Sequence, residues 1–176
     1  MPLMCIMNKN LYLRIFSILG VVFLSCFIFY MSSKTANASN EISTSFLDGV
    51  LELLFKNYKS LPDEEKIIII QNYHFFIRKL AHFSEFALLG IFSYFFLSTF
   101  DRIKNFLAGV IAWCYVTLFA VSDEIHQLFV EGRSGKVTDV IIDSFGGAVG
   151  ILFIILIVYK IHLFREAKLN ETKEKQ

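Results

Sequence analysis

Three groups of ionisable residues in this chain are spaced for chemistry. The first is Arg78-Lys79-Leu80-Ala81-His82-Phe83-Ser84-Glu85. On a helix, Arg78, His82 and Glu85 fall at i, i+4 and i+7 and share one face. His82 and Glu85 already lie inside an apolar run, and an unpaired charge in lipid costs about 3 kcal/mol or more. That face must therefore point into a bundle. The second group is Ser122-Asp123-Glu124-Ile125-His126-Gln127, continuing to Glu131-Gly132-Arg133. Ser122 and His126 stand at i, i+4, and Asp123 and His126 at i, i+3. The third is Asp139 and Asp143, also at i, i+4, followed by Gly146, Gly147 and Gly150.

Two kinds of chemistry suit this set of His82, Glu85, Asp123, Glu124, His126, Asp139 and Asp143, with Arg78 and Arg133 nearby. Histidines and carboxylates can hold a divalent cation. They can also act as acid and base while arginines grip a phosphate or carboxylate. No spacing matches a zinc motif such as H-E-x-x-H, so the metal, if any, is unknown. Blander roles stand beside these. The first group could be an interhelical salt-bridge ladder. The second could be an ordinary polar loop, and Asp139 could simply complement a helix N-terminus. Asp143, a full turn deeper, fits that last role less well. Gly146 and Gly150 form a small-xxx-small pattern that lets a neighbouring helix approach closely.

What must position these residues is a set of membrane spans. The hydrocarbon core of a bilayer, ~30 Å thick, needs ~20 mostly apolar helical residues. Four segments fit or nearly fit: 11–31, 80–100, 106–121 and 140–159. Helix is the open-chain solution, because backbone groups in lipid need internal partners. The expected class is thus all-α, a polytopic membrane helix bundle with about four transmembrane helices. Within 32–77, Phe46, Leu47, Val50, Leu51, Leu54, Phe55 and Tyr58 recur at helical spacing. Short amphipathic helices on the outer face are expected there. Leu61-Pro62-Asp63 reads as a helix start.

Orientation follows from lysine and arginine near the span ends. Lys9 and Arg14, Arg102 and Lys104, and then Lys160, Arg165, Lys168, Lys173 and Lys175 all fall on one side of a four-span protein. That side is expected to be the cytoplasm, with both termini there. Residues 160–176 form a charged cytoplasmic tail after a transmembrane domain at 11–159. Arg78, Lys79, Arg133 and Lys136 then lie outside, against the rule, and a functional site is one reason for them. The N-terminus has a second reading. A basic residue, an apolar run and Ala36-Asn37-Ala38 resemble a cleaved signal peptide. Either way the three groups keep one level on one side.

Composition excludes other classes. Of the 176 residues 55% are hydrophobic, mean hydropathy is +0.56, and the charges collect between long apolar blocks. A net charge of +1 points to no nucleic-acid partner. Cys5, Cys26 and Cys114 give neither a disulfide framework nor metal spacing. A transporter or proton-coupled channel is a weaker third reading: it would want polar groups continuing to the inner side, where 91–100, 106–121 and 144–159 offer only Ser, Thr and Tyr.

Together the motifs resemble the VanZ-like membrane family. Arg78-Lys79-x-Ala81-His82-Phe83-x-Glu85-Phe86 through Leu89-Gly90 resembles its first signature. Ser122-Asp123-Glu124-x-His126-Gln127-x-Phe129-Val130-x-Gly132-Arg133 resembles the second. Asp139-Val140-x-x-Asp143-x-x-Gly146 resembles the third, and Phe29-Tyr30-Met31-Ser32-Ser33 is similar to the family's first-helix exit. That last match favours a retained first span. Phe86 stands where tyrosine is common, which removes a hydroxyl but no charge. The resemblance spans roughly residues 11–158. It implies a small multi-pass protein of the bacterial cytoplasmic membrane, in a family linked to low-level teicoplanin resistance. It supplies an envelope context and no reaction.

The resulting expectation is a site at the outer face for an envelope or lipid-linked anionic ligand. Arg78 and Arg133 would bind the anion, with Lys79, Gln127 and Asp139 in the same ligand-binding set. His82 and His126 would transfer protons or ligate a divalent cation. Glu85, Asp123 and Asp143, with Asp139, would orient the histidines or complete a cation site. Glu124 lies in the set but is assigned no role. The alternative is a non-enzymatic structural or partner-binding membrane protein, whose polar residues merely pair between helices.

Overall fold

The computed structural model describes the backbone of residues 2–174 and the side chains of residues 11–168. Cys5, Lys9, Lys173 and Lys175 lie outside those described side chains. Five α-helices form: α1 (Pro2–Ser32), α2 (Ala36–Leu54), α3 (Asp63–Ser98), α4 (Asn105–Gln127) and α5 (Val137–Glu174). One 3-10 turn, Tyr58–Ser60, joins α2 to α3. There is no strand among the described residues. Four segments are long and apolar enough to cross a membrane: Leu11–Ser32, Asp63–Ser98, Asn105–Gln127 and Val137–Lys168. Their outward faces carry bare hydrophobes such as Phe16, Phe23, Leu118 and Phe153. In water such a surface would aggregate, whereas in lipid it is the natural exterior. The chain is a multi-pass membrane bundle.

Each helix boundary has a local cause. The Thr35 hydroxyl accepts from the Ala38 amide and caps α2. Asp63, Glu64 and Glu65 fill the first turn of α3, where carboxylates complement the helix dipole. Nothing between Asp63 and Leu89 breaks that helix, since neither proline nor glycine occurs there. The expected break near Leu80 is therefore absent. Residues 63–79 and the second span form one helix of 36 residues, about 54 Å long at ~1.5 Å per residue. Only one helix of the outer segment, α2, is separate, and it lies against α3. Buried Tyr58 locks this hairpin by donating to Asp48 Oδ1 at 2.8 Å. Burial first, and then the bond to Asp48, push the Tyr58 hydroxyl up to about 12. Likewise α4 continues to Gln127, so Ser122–Gln127 is helix and not loop. Leu128 and Phe129 follow in a turn and stand exposed. Helix α5 runs without interruption into the 160–174 segment.

Helix α3 is central: it touches all four others, and α4 touches α1 and α5 as well. The closest approach is between α3 and α5. A Cβ on Gly146 would stand 2.5 Å from the Phe83 carbonyl oxygen, and one on Gly90 would stand 2.6 Å from the Gly147 oxygen. Gly150 meets the Ala87 backbone in the same seam. The small-xxx-small pattern thus does what its spacing suggests. It also brings Asp143, one turn before Gly146, and His82, next to Phe83, to the same end of the bundle. A hydrophobic cluster of Val21, Leu24, Ile28, Phe86, Leu89, Val116 and Ala120 closes the bundle beneath that end. Phe86 is fully buried there, so the missing tyrosine hydroxyl leaves no donor to satisfy.

Candidate functional site

The end where α1 and α4 finish and α5 begins is polar and largely buried. Asp123 (1% exposed), Glu124 (6%) and Gln127 (5%) form an inward arc on the last two turns of α4. Ser32, at the last residue of α1, donates to Asp123 Oδ2 at 2.8 Å. The Gln127 amide donates to the same oxygen at 3.0 Å and lies 3.4 Å from Glu124 Oε1. Glu124 Oε2 accepts the Lys136 backbone amide at 2.7 Å. That bond depends on Gly135, whose Cα packs on the Glu124 carbonyl where a Cβ would stand 2.6 Å away.

Arg133 ties the α4–α5 loop to the exit of α1. Its Nε donates to the Lys34 carbonyl at 3.1 Å, Nη2 to the Met31 carbonyl at 3.3 Å and Nη1 to Gln127 Oε1 at 3.4 Å. Burial, then the facing Arg78 guanidinium, lower its pKa from the usual arginine range. A group that starts above ~12 stays protonated. The turn that presents it contains Gly132 at φ 72, the left-handed region that glycine enters freely.

Around this scaffold lie two cavities. The first, about 20 Å³, is lined by Arg78, Lys79 and His82 of α3, Glu124 and Gln127 of α4, and Asp139, Ile142 and Asp143 of α5. Its size is a little above the ~10–15 Å³ that one water requires. Lys79 is bound to Asp139 at 2.9 Å, which cancels one charge of each sign. Arg78 shares this cavity with Glu124 and Asp143. Asp143 is 2% exposed, and among the described residues nothing donates a hydrogen bond to it. The second cavity, about 140 Å³, lies between α2 and α3. Arg78, His82, Glu85 and Arg133 are among its polar lining residues, and Met31, Ile42, Phe46 and Ile77 among its apolar ones. Arg78 and His82 line both cavities. His82 Nδ1 lies 3.6 Å from Glu85 Oε2, too far for a hydrogen bond, and both atoms are buried without a partner. Arg78 itself is held by Asn40 of α2 at 3.4 Å.

Most of the residues singled out in the sequence therefore meet. Arg78, Lys79, His82, Gln127, Asp139 and Asp143 surround the first cavity, and Glu85 and Arg133 the second. Asp123 sits in the scaffold that joins α4 to α1. His126 does not share the site. It lines neither cavity, stacks on Phe29 with ring centroids 4.2 Å apart and places Nε2 3.1 Å from the Ser33 hydroxyl. The reason is azimuthal: with ~3.6 residues per turn, Glu124 and His126 point about 200° apart, and Glu124 takes the inward direction. Two residues are more central than their sequence signal suggested. Glu124 is the α4 carboxylate at the first cavity. Ser32, fully buried, is with Gln127 one of two donors to Asp123 Oδ2, while Oδ1 is buried without a partner. The only hint at Ser32 was its place among small polar residues ending an apolar helix. Among the described residues no group of three or more His, Cys, Asp or Glu side chains is placed to hold a metal ion.

The three motif segments that build this site also fall within one family signature. A family model described as VanZ/LLP1 matches residues 16–159, from the first span to the last. Comparison with curated proteins and with solved structures gives no match. With most of its length covered by that match, this chain belongs to the VanZ/LLP1 family.

Proposed function

We propose that this VanZ-like protein binds, and through His82 processes, an anionic ligand of the bacterial envelope at the outer face of the cytoplasmic membrane. Arg78 and Arg133 hold the anion. His82 carries a proton between the two cavities, Asp143 and Glu124 exchange it with a water-sized guest in the smaller one, and Glu85 stabilises the imidazolium by its nearby charge. Asp123, Gln127, Lys79 and Asp139 hold the walls. The observation that carries this reading is that Arg78 and His82 line both cavities. An anion-gripping group and a proton-carrying group thus adjoin buried carboxylates. The family's link to glycopeptide resistance fits an envelope ligand. The basic residues Arg14, Arg102, Lys104, Lys160 and Arg165 at the opposite end support cytoplasmic termini.

A structural role is the second reading, favoured by the Ser32–Asp123–Gln127–Arg133 chain and by the Lys79–Asp139 pair. The test is binding of a short-chain phosphatidic acid to the purified protein in neutral-lipid nanodiscs. Wild type binds saturably, and Arg78→Gln and His82→Ala, each correctly inserted, weaken binding at least tenfold. Exchanging the charges at positions 78 and 85 discriminates further. If Arg78→Glu with Glu85→Arg keeps both fold and binding, pairing alone explains these residues and the proposal fails.

A further inference from the structure

The larger cavity has a shape that the anion-binding reading alone does not use. Its α2 wall is Ser39, Ile42, Ser43 and Phe46, spaced i, i+3, i+4 and i+7, one stripe of a helix. Its α3 wall is Ile77, Arg78, Ala81, His82 and Glu85, again one stripe. Two facing stripes make a groove rather than a pit. Polar and apolar residues interleave along its walls. Arg78 and Arg133 are its arginines, against a single carboxylate, Glu85. Ile42, Phe46, Ile77 and Met31 supply its large apolar side chains. Ile42 and Phe46 remain 43% and 62% exposed, so the α2 wall opens outward. The volume of about 140 Å³ is roughly tenfold the ~10–15 Å³ that one water requires. The carboxylate-lined cavity, at about 20 Å³, admits no headgroup at all.

From this we infer that the ligand is a phosphate-bearing membrane lipid, seated with its headgroup between Arg78 and Arg133 and its chain along Ile42 and Phe46 of α2. The inference rests on the anion-binding reading and narrows it to an amphiphile. Charge complementarity selects an anionic head, because the groove carries two guanidinium groups and one carboxylate. The apolar side chains select a chain, since a free phosphate would leave Ile42, Phe46 and Ile77 against water. A lipid is selected over a soluble amphiphile because the exposed Ile42 and Phe46 belong to a membrane-spanning bundle. α2 is then the retaining wall of the site, and Asn40 links it to the anion-binding Arg78.

The experiment compares three probes on detergent-purified full-length protein by native mass spectrometry: dipalmitoyl phosphatidic acid, dipalmitoyl phosphatidylcholine and glycerol 3-phosphate. The expected result is retention of phosphatidic acid at least tenfold tighter than either of the others. Phe46→Ser and Met31→Ser, with melting midpoints checked, should weaken phosphatidic acid about tenfold. Arg78→Gln should bring it down to the level of phosphatidylcholine. Glycerol 3-phosphate binding as tightly as phosphatidic acid, with both apolar variants silent, would overturn the lipid assignment and leave the anion site standing. Phosphatidic acid retained equally by wild type, Phe46→Ser and Met31→Ser would also overturn it. No binding of either phosphate probe by well-folded wild type would remove the anion site and the lipid together.

Discussion

Replacing Gly146 with alanine perturbs the seam that brings the two halves of the site together. The added Cβ would stand 2.5 Å from the Phe83 carbonyl oxygen and 3.2 Å from its carbon, while ordinary contact begins near 3.4 Å. The shortfall is about 0.9 Å against backbone, which cannot rotate away as a side chain tip could. α3 and α5 must separate by roughly that amount, and overpacking of this kind costs about 1–3 kcal/mol. The separation also moves Asp143 from His82 across the smaller cavity. Gly49→Ala is the control, because nothing lies within 4 Å of its Cβ and it sits inside α2. There alanine should be neutral or stabilise by about 0.5–1 kcal/mol. The reporter is intrinsic. Trp113, the single tryptophan, donates from Nε1 to the Ser144 carbonyl of α5 at 3.1 Å. Its fluorescence on denaturant unfolding in micelles follows the α4–α5 junction. Equal stability of the Gly146→Ala and Gly49→Ala proteins would refute the close-packed seam.

Further consequences can be checked with the same unfolding assay. Ser32→Ala removes one of the two donors to Asp123 Oδ2 and leaves a buried carboxylate undersatisfied. A loss of about 1–3 kcal/mol is expected. Tyr58→Phe deletes the bond to Asp48 and should cost about 1 kcal/mol. Hydrogen exchange in α2 should rise in that protein while α4 and α5 stay protected.

Much of this arrangement was legible from residues alone, for identifiable reasons. Apolar length marked the spans, and the one-turn spacings at 78–82–85 and 139–143 put each set on one helix face. Alternation of direction then placed all three motifs at one end. What remained hidden depended on partners. Hydropathy cannot say where a span's helix begins outside the membrane, so α3 runs 17 residues further back, to Asp63, than its apolar core. Depth was readable for His126 but azimuth was not, because α1 on one side and α5 on the other decide which α4 residues face inward. Ser32 was hidden for the same reason. A serine at the end of an apolar helix carries no sign that a carboxylate 91 residues away needs its hydroxyl.

A buried group kept for function and one kept for structure respond oppositely to removal of charge, and Asp143 separates the two. It is 2% exposed, borders the smaller cavity and receives no hydrogen bond among the described residues. The decisive measurement is the unfolding free energy of Asp143→Asn beside its phosphatidic acid affinity. Unchanged or increased stability with phosphatidic acid binding retained or tightened is the predicted result, because Asp143 lines the smaller cavity and not the lipid groove, and its carboxylate can only repel an anionic headgroup. Marked destabilisation with binding intact would contradict it and make Asp143 a strut of the bundle.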